Sequence, residues 1–442
     1  MNAIRPDRTF TLLFLVMLTI AAGNTALQSV LPALGRALGV PDSAVAAAFS
    51  VSALLWTVAA PLWANRSDHH GWRRMVLIGL AGLTASQFLC GLFLVGGING
   101  WIAPVTAFAC FIAARMIYGA FGAAAPPAVQ AIVAARTSRE ERTRALTLLG
   151  SAFGLGTILG PAVAPYLVAG QLWAGGPVIG LAGPALFGGC AALVIILVVV
   201  RFLPHDIDSA ISHGAAASYP SIGGQASGAS VTAATAPHEG AGIETIGFLD
   251  QRVRAWMICG LTLGNAQAMA GQVIGFLIID RLAVAPIEAV EATGLVLMMG
   301  AGAALLAQWG IIPLLNLSPR ALMLSGLSLS AAGCVATGSA TSLYGIATGY
   351  ALATLGFGFS RPGFSAGASL AVGQGAQASV AGKVTSINGA AFILGPSIGV
   401  LLYGVWRPLP YLAAAAMLAL LVVYGWFSLR SSGCDPEASP VR

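Results

Sequence analysis

Charge is the first thing this chain lacks. Asp, Glu, Lys and Arg make up 8% of its 442 residues, against 57% hydrophobic, whereas a soluble domain carries about 25% charged residues. That shortage excludes an ordinary soluble globular protein. Cysteine is sparse too. Of six, Cys90, Cys110, Cys190, Cys259 and Cys334 fall inside apolar runs and Cys434 in the C-terminal tail. None is placed for an extracellular disulfide, and no Cys/His spacing has the form of a metal site, so no metal or other cofactor is expected. Histidine stays out of the apolar runs: His69, His70, His205, His213 and His238 all sit in polar segments. The fifteen acids keep to loops, tails and run ends. An intramembrane enzyme needs converging His, Asp, Glu, Ser or Cys groups, so an enzyme is not expected.

What the chain has instead is apolar length. Neutral stretches run Thr9–Gly35, Ser43–Asn65, Met75–Ala114, Ala145–Val200, Ala255–Ile279, Ala292–Pro319, Ala321–Ser360, Val384–Trp406 and Pro408–Leu429. About 20 apolar residues cross a hydrocarbon core, so three of these stretches hold two crossings each. They divide at turn-like clusters near Gly96–Gly100, Gly170–Pro177 and Gly338–Ser342. The expected fold is an all-α polytopic membrane protein with spans near 10–34, 43–64, 74–95, 102–134, 144–168, 178–202, 252–279, 289–313, 320–338, 343–370, 380–403 and 408–429. Residues 1–203 and 249–430 form two six-span halves, 204–248 a flexible cytoplasmic linker rich in Ala, Ser and Gly, and 431–442 a cytoplasmic tail. Arg5, Arg8 and the following apolar stretch have the look of a signal peptide. Its removal would leave an odd number of spans, so retention is expected.

The basic residues set the orientation. Of the 21 Lys and Arg, only Arg36, Arg281 and Arg407 fall on the side facing away from the N-terminus and linker, while Arg115 and Arg361 lie inside spans. The rest share the side of the termini, so the positive-inside rule puts both termini in the cytoplasm. The pI of about 9.2 therefore reflects topology. Nucleic-acid binding is not expected, because the arginines are scattered without an aromatic-interleaved patch.

The halves repeat. Thr157-Ile-Leu-Gly160-Pro161 in span 5 matches Phe392-Ile-Leu-Gly395-Pro396 in span 11, and Gly122 and Pro126 of span 4 match Gly358 and Pro362 of span 10, at nearly equal offsets. Parallel six-span repeats suit two bundles that rock about a midplane site. The 56 glycines fit close helix packing in lipid, where small residues let backbones approach.

Between spans 2 and 3 the sequence reads Asp68-His69-His70-Gly71-Trp72-Arg73-Arg74. A carboxylate, a turn glycine and paired arginines between two helix ends can latch one state of a gate; a purely topogenic basic loop would explain only the arginines. This Asp-x-x-Gly-x-Arg-Arg pattern resembles the signature of the major facilitator superfamily, with Ala64 where its first Gly stands and His69 where a basic residue is usual. Span 4 carries Arg115-Met-Ile-Tyr-Gly119, similar to a further family motif, and span 5 carries Gly156-Thr-Ile-Leu-Gly160-Pro161, similar to the antiporter motif with Ala164-Pro165 replacing its final glycines. The resemblance covers nearly the whole chain and points to the twelve-span drug/proton antiporter branch. It implies a monomeric secondary transporter of a bacterial cytoplasmic membrane, exporting a small amphipathic molecule, with protons as the coupling ion. An uptake permease is the alternative.

Candidate gating and coupling residues are thus Asp68, Gly71, Arg73, Arg74, Arg115, Gly156, Gly160 and Pro161. Arg115 can serve proton coupling or the bundle core, or snorkel to the near interface. Arg361 falls near the midplane of span 10 and its repeat partner is Ala125, so symmetry does not demand it. Facing the cavity, Arg361 would bind an anionic substrate group; facing a neighbouring helix, it would pair with carbonyls. Asn24, Gln28, Gln130, Asn265, Gln267, Gln272 and Asn388 complete the substrate-contact candidates, since spans 1, 4, 7 and 10 line the cavity in the family that the chain resembles. Drug/proton antiporters of that family often carry an acid in span 1, where this chain has Asn24 and Gln28, leaving Asp68, His69 and Glu291 to titrate. ATP drive is excluded: the segment ending Gly382-Lys383-Val384 lacks the first Gly and the Ser/Thr of a phosphate loop.

Overall fold

The computed structural model describes residues 8–137, 139–171, 174–204, 219–220, 246–315, 317–373 and 376–429. Among the described residues, twelve long helical spans appear in the expected order. Spans 1 to 3 are Arg8–Ala37, Asp42–His70 and Trp72–Ile98. Span 4 runs Pro104–Phe121, tightens through a one-turn 3-10 segment Gly122–Ala124 and continues as Ala125–Arg136. The tightening falls where Pro126 and Pro127 remove two consecutive backbone donors from the ladder. Span 5 is Arg139–Val163 with a 3-10 turn Ala164–Leu167, and span 6 is Gly183–Phe202. A two-stranded hairpin pairing Ala169–Gln171 with Val178–Gly180 links them.

In the second half, span 7 is Arg254–Leu282 and span 8 runs Ala289–Leu305 through a π turn, Leu306–Ile311, to Ile312–Leu315. Spans 9 to 12 are Pro319–Ser339, Leu343–Leu370, Gln377–Val405 and Leu409–Ser428. Eleven of the twelve are long and apolar enough to cross a membrane by length and composition. Span 10 falls outside that set, since its glycines, serines and Arg361 dilute its apolar character. Large apolar side chains such as Leu92, Leu197, Leu401, Leu420 and Phe427 stay exposed on the outer faces, as a lipid-facing surface requires.

Short turns make successive spans antiparallel. The turns after Ala37, Ile98, Leu282, Ser339 and Val405 therefore share one end of the bundle, here called the distal end. Arg8, the central linker and the last span's end share the other, the linker end. Spans 1 and 7 are the most buried of the spans, and spans 6 and 8 among the least.

Packing bears out the internal repeat. A Cβ on Gly156 would lie 2.7 Å from Ala21 Cβ, and one on Gly160 2.6 Å from the Ala22 carbonyl, both on span 1. In the second half, Gly395 stands in the same relation to Ala268 of span 7, and Gly264 of span 7 to Ala391 of span 11. Span 5 thus presses its glycine face on span 1 as span 11 presses on span 7. Lipid gives helices no hydrophobic reason to associate, so such close backbone approach carries the packing. Gly160→Ala is expected to lower the unfolding temperature of the purified protein, since overpacking costs about 1–3 kcal/mol. Gly302→Ala, where an added Cβ meets nothing within 4 Å, should leave it unchanged.

One boundary differs instructively. The sequence reading ends span 2 near residue 64 and puts Asp68 in a loop, but the helix continues to His70 and the connection to Trp72 is Gly71 alone. Gly71 holds φ at 83°, a conformation costly for any residue with a Cβ, and so reverses the chain in one step.

Candidate functional site

Two buried arginines organise the interior. In the second half, Arg361 of span 10 is 4% exposed. It lies nine residues from the helix end at Leu370, about 14 Å at 1.5 Å rise per residue. Its Nε donates to Gln267 Oε1 on span 7 at 2.6 Å and its Nη1 to Asn388 Oδ1 on span 11 at 3.1 Å. The guanidinium lies over the Phe392 ring at 5.8 Å. Nη2 is buried and has no hydrogen-bond partner among the described residues. The structure thus brings together three of the residues expected to contact substrate.

In the first half, Arg115 of span 4 is fully buried. It does not snorkel towards the distal interface; its Nη2 donates to Asn24 Oδ1 on span 1 and to the hydroxyl of Tyr219. The guanidinium lies over Phe49 at 5.1 Å and over Tyr118 at 4.9 Å. Such desolvated cation–π contacts are worth about 2 kcal/mol each, which offsets much of the cost of an intramembrane arginine, about 2.5–3.5 kcal/mol. Among the described residues Nε and Nη1 have no hydrogen-bond partner, nor has the Tyr118 hydroxyl.

Tyr219 belongs to the central linker, whose Ala-, Ser- and Gly-rich sequence offers little that could form a core. It is nevertheless 2% exposed. Its ring sits 5.7 Å from Trp56 and 6.0 Å from Tyr118. The carbonyl of Pro220 accepts from Asn24 Nδ2. Tyr219 is the single aromatic residue between His205 and Gly247, the one signal that could have marked it.

The two arrangements are related. Thr25 and Ala268 are the residues pressed by the equivalent glycines Gly160 and Gly395, and Asn24 and Gln267 immediately precede them. In each half, therefore, an amide oxygen on the first span accepts from an arginine on the fourth. Neither arginine makes an ion pair among the described residues. Among the described residues, two positive charges thus face the interior without a counter-charge there.

The distal end carries a charged cluster that the sequence did not reveal. Arg36 of span 1 grips Asp42 through two bonds of 2.7 Å and reaches Asp280 of span 7 at 3.3 Å. Asp280 also accepts from Tyr403 Oη at 2.7 Å and lies 3.6 Å from Arg407 Nε. The cluster ties the first half to the second. Below it, Ser50 and Ser397 share a hydrogen bond of 2.9 Å. A Cβ on Gly275 would sit 2.8 Å from Pro32, and one on Gly294 3.0 Å from the Pro161 carbonyl. These contacts between halves lie at the distal end or at mid-depth.

The remaining candidates divide. Gln28, Gln130 and Gln272 are buried, and Gln130 Oε1 and Gln272 Oε1 have no hydrogen-bond partner. Asn265 turns back to its own helix, its Nδ2 donating to the Leu261 carbonyl at 2.9 Å, so it is not part of the Arg361 cluster. The side chains of Asp68 and His69 lie outside the described residues. Arg73 donates to the Val200 carbonyl at 2.8 Å, tying span 3 to span 6 within one half, and Arg74 is exposed. Glu291 stands in the first turn of span 8 near the distal end.

Comparisons with known proteins agree with this architecture. The chain is 26% identical over 161 residues to Multidrug resistance protein 2 of Bacillus subtilis (strain 168), covering 36% of this chain and 34% of that one. The match thus spans about a third of the relative's length. The human organic anion transporter MFSD10 (TETRAN) superposes with a TM-score of 0.62 at 19% identity, over 96% of this chain and 100% of that one. A bacterial homologue of the human lysosomal transporter Spinster, in an inward-facing and occupied conformation, gives 0.71 at 11% identity over 97% and 98%. The nucleoside transporter NupG gives 0.67 at 11% identity over 96% and 100%. Identities this low establish the fold alone. The family model of the Major Facilitator Superfamily, however, matches residues 13–387, and with twelve spans packed as a repeated six-helix unit the chain belongs to that superfamily of membrane transporters.

Proposed function

We propose that the protein is a secondary active exporter that carries a small amphipathic anion out of a bacterial-type cytoplasm by alternating access, in exchange for protons. The carrying observation is Arg361, buried at mid-depth with a free Nη2 donor and held by Gln267 and Asn388. An anionic group fits beside that guanidinium, with the Phe392 face and the neighbouring apolar helices receiving the rest of the molecule. In this reading the chain works as a monomer in the cytoplasmic membrane. Its two six-span halves, 1–203 and 249–430, rock about the midplane, and the linker end faces the cytoplasm. The distal cluster around Asp280 is then the outer gate, closed here.

Among the described residues no acid lies at mid-depth in a span, so coupling is assigned to the gate. Asp280 is the acid that Arg36, Tyr403 and Arg407 share, with Asp42 beside them on Arg36. Loss of the Asp280 charge would weaken its hold on Arg36 and Arg407 and open the outer end. The multidrug relative supports export, and the unpartnered Arg361 donor supports an anionic cargo. The lack of a mid-depth acid favours the alternative of an uptake permease that needs no proton exchange. Comparing the accumulation of candidate anions in cells with and without the protein separates the two. Lower accumulation in expressing cells, abolished by an uncoupler, is expected. Higher accumulation in expressing cells would favour the permease, and export that an uncoupler leaves unchanged would refute proton exchange.

A further inference from the structure

We propose that the pocket around Arg115 is a binding site for an aromatic carboxylate, and that Tyr219 of the protein's own linker occupies it as a tethered stand-in. The pocket is built for a planar ring ending in an oxygen. Trp56 and Tyr118 flank the Tyr219 ring at 5.7 and 6.0 Å, while its hydroxyl accepts from Arg115 Nη2 and donates to Asn24 Oδ1 at 3.4 Å. Aromatic contacts of this kind favour edge-to-face and tilted rings over aliphatic groups of equal size. The Phe49 ring also packs on the guanidinium, at 5.1 Å.

A phenol leaves the site unsatisfied. Arg115 Nε and Nη1 and the Tyr118 hydroxyl are buried without hydrogen-bond partners, and Arg115 has no carboxylate among the described residues. A guanidinium pairs best with a two-oxygen anion taken by two adjacent nitrogens. When Tyr219 withdraws, Nη2 is freed beside either unpartnered nitrogen, and a carboxylate can bridge that edge while its ring takes the slot. A neutral aromatic would leave those donors bare, and an aliphatic acid would forgo the ring contacts. An aromatic acid answers both.

Tyr219 is positioned to compete. Arg115 is eleven residues from the distal end of span 4, about 16 Å, and Pro204, the last described residue after span 6, is fifteen residues before Tyr219. An extended chain spans at most about 3.3–3.6 Å per residue, enough to bring Tyr219 this deep from the linker end. A tethered occupant lowers the apparent affinity of any free ligand by the fraction of time the pocket is filled. The inference rests on the transport reading, in that cargo must reach the interior, yet binding can be read without flux.

The test is equilibrium dialysis of the purified full chain in detergent with radiolabelled 4-hydroxybenzoate. Saturable binding is expected, at least ten-fold tighter in Tyr219→Ala than in the wild type, with Tyr219→Phe between them. Arg115→Gln in the Tyr219→Ala background should abolish it. Phe49→Leu, which keeps the charge, should weaken it several-fold, and cyclohexanecarboxylate should compete poorly. Equal or weaker affinity in Tyr219→Ala, or no saturable binding in that variant, would overturn the proposal. Saturable binding with no flux in proteoliposomes would instead refute the exporter and leave the pocket standing. Export of other anions without aromatic-acid binding would refute the pocket alone.

Discussion

Arg361→Ala is expected to reduce transport at least 100-fold in proteoliposomes while the protein still reaches the membrane and purifies as a folded species. The wild-type side chain gives two bonds and keeps a third donor free. A charge-assisted contact to a buried anion is worth about 3 kcal/mol or more, and about 1.4 kcal/mol is ten-fold. Folding should survive. Truncation leaves Gln267 and Asn388 short of a donor, at about 1–3 kcal/mol, but it also removes a charge costing about 2.5–3.5 kcal/mol in the bilayer. Arg361→Lys separates charge from geometry: a single ammonium cannot serve Gln267, Asn388 and cargo together, so it should retain part of the activity with a raised KM. Normal flux in Arg361→Ala would remove this residue from the cargo site.

Asp280→Asn should open the outer gate. The substitution keeps shape but removes the charge that Arg36, Arg407 and Tyr403 share. Surface pairs contribute about 0–1 kcal/mol each. Here the Asp280 side chain is only 12% exposed and several pairs fail together, so a shift of about ten-fold in the open population follows. A cysteine at Ser50, beneath the cluster and against Ser397, reports it. In a background without the native cysteines, a membrane-impermeant maleimide applied from outside should label this position about ten-fold faster in Asp280→Asn. An unchanged rate would mean that Pro32, Gly275 and the other apolar contacts hold the gate without the ion cluster.

The fold was legible because the bilayer leaves few choices. Neutral runs of span length, turn clusters and matched Gly-Pro positions lead directly to twelve helices and their repeat, and Gly160 and Gly395 pack as their common motif implies. The Arg361 cluster was legible for the same reason: polar groups inside spans are rare, which singles out Arg361, Gln267 and Asn388, and their side chains meet. What escaped depends on distance in sequence. Arg36 and Asp280 are 244 residues apart, and no local pattern pairs them. Tyr219 escaped because its Ala-, Ser- and Gly-rich neighbours mark a linker, whereas its burial comes from Trp56, Tyr118 and Arg115 on other elements. Local geometry accounts for Asn265 and Asp68. Asn265 satisfies its own helix, and Gly71 lets span 2 run to its last residue before turning.

The central claim is that the two halves open one end as they close the other. Distances between paired spin labels, measured by pulsed electron resonance on reconstituted protein, test it most directly. One pair spans the halves at the distal end, at Ala37 and Ala285; the other spans them at the linker end, at Ala135 and Leu370, all four exposed. Asp280→Asn should lengthen the distal distance and shorten the linker-end distance relative to the wild type in matched samples. Two distances that stay fixed, or that lengthen together, would contradict the account.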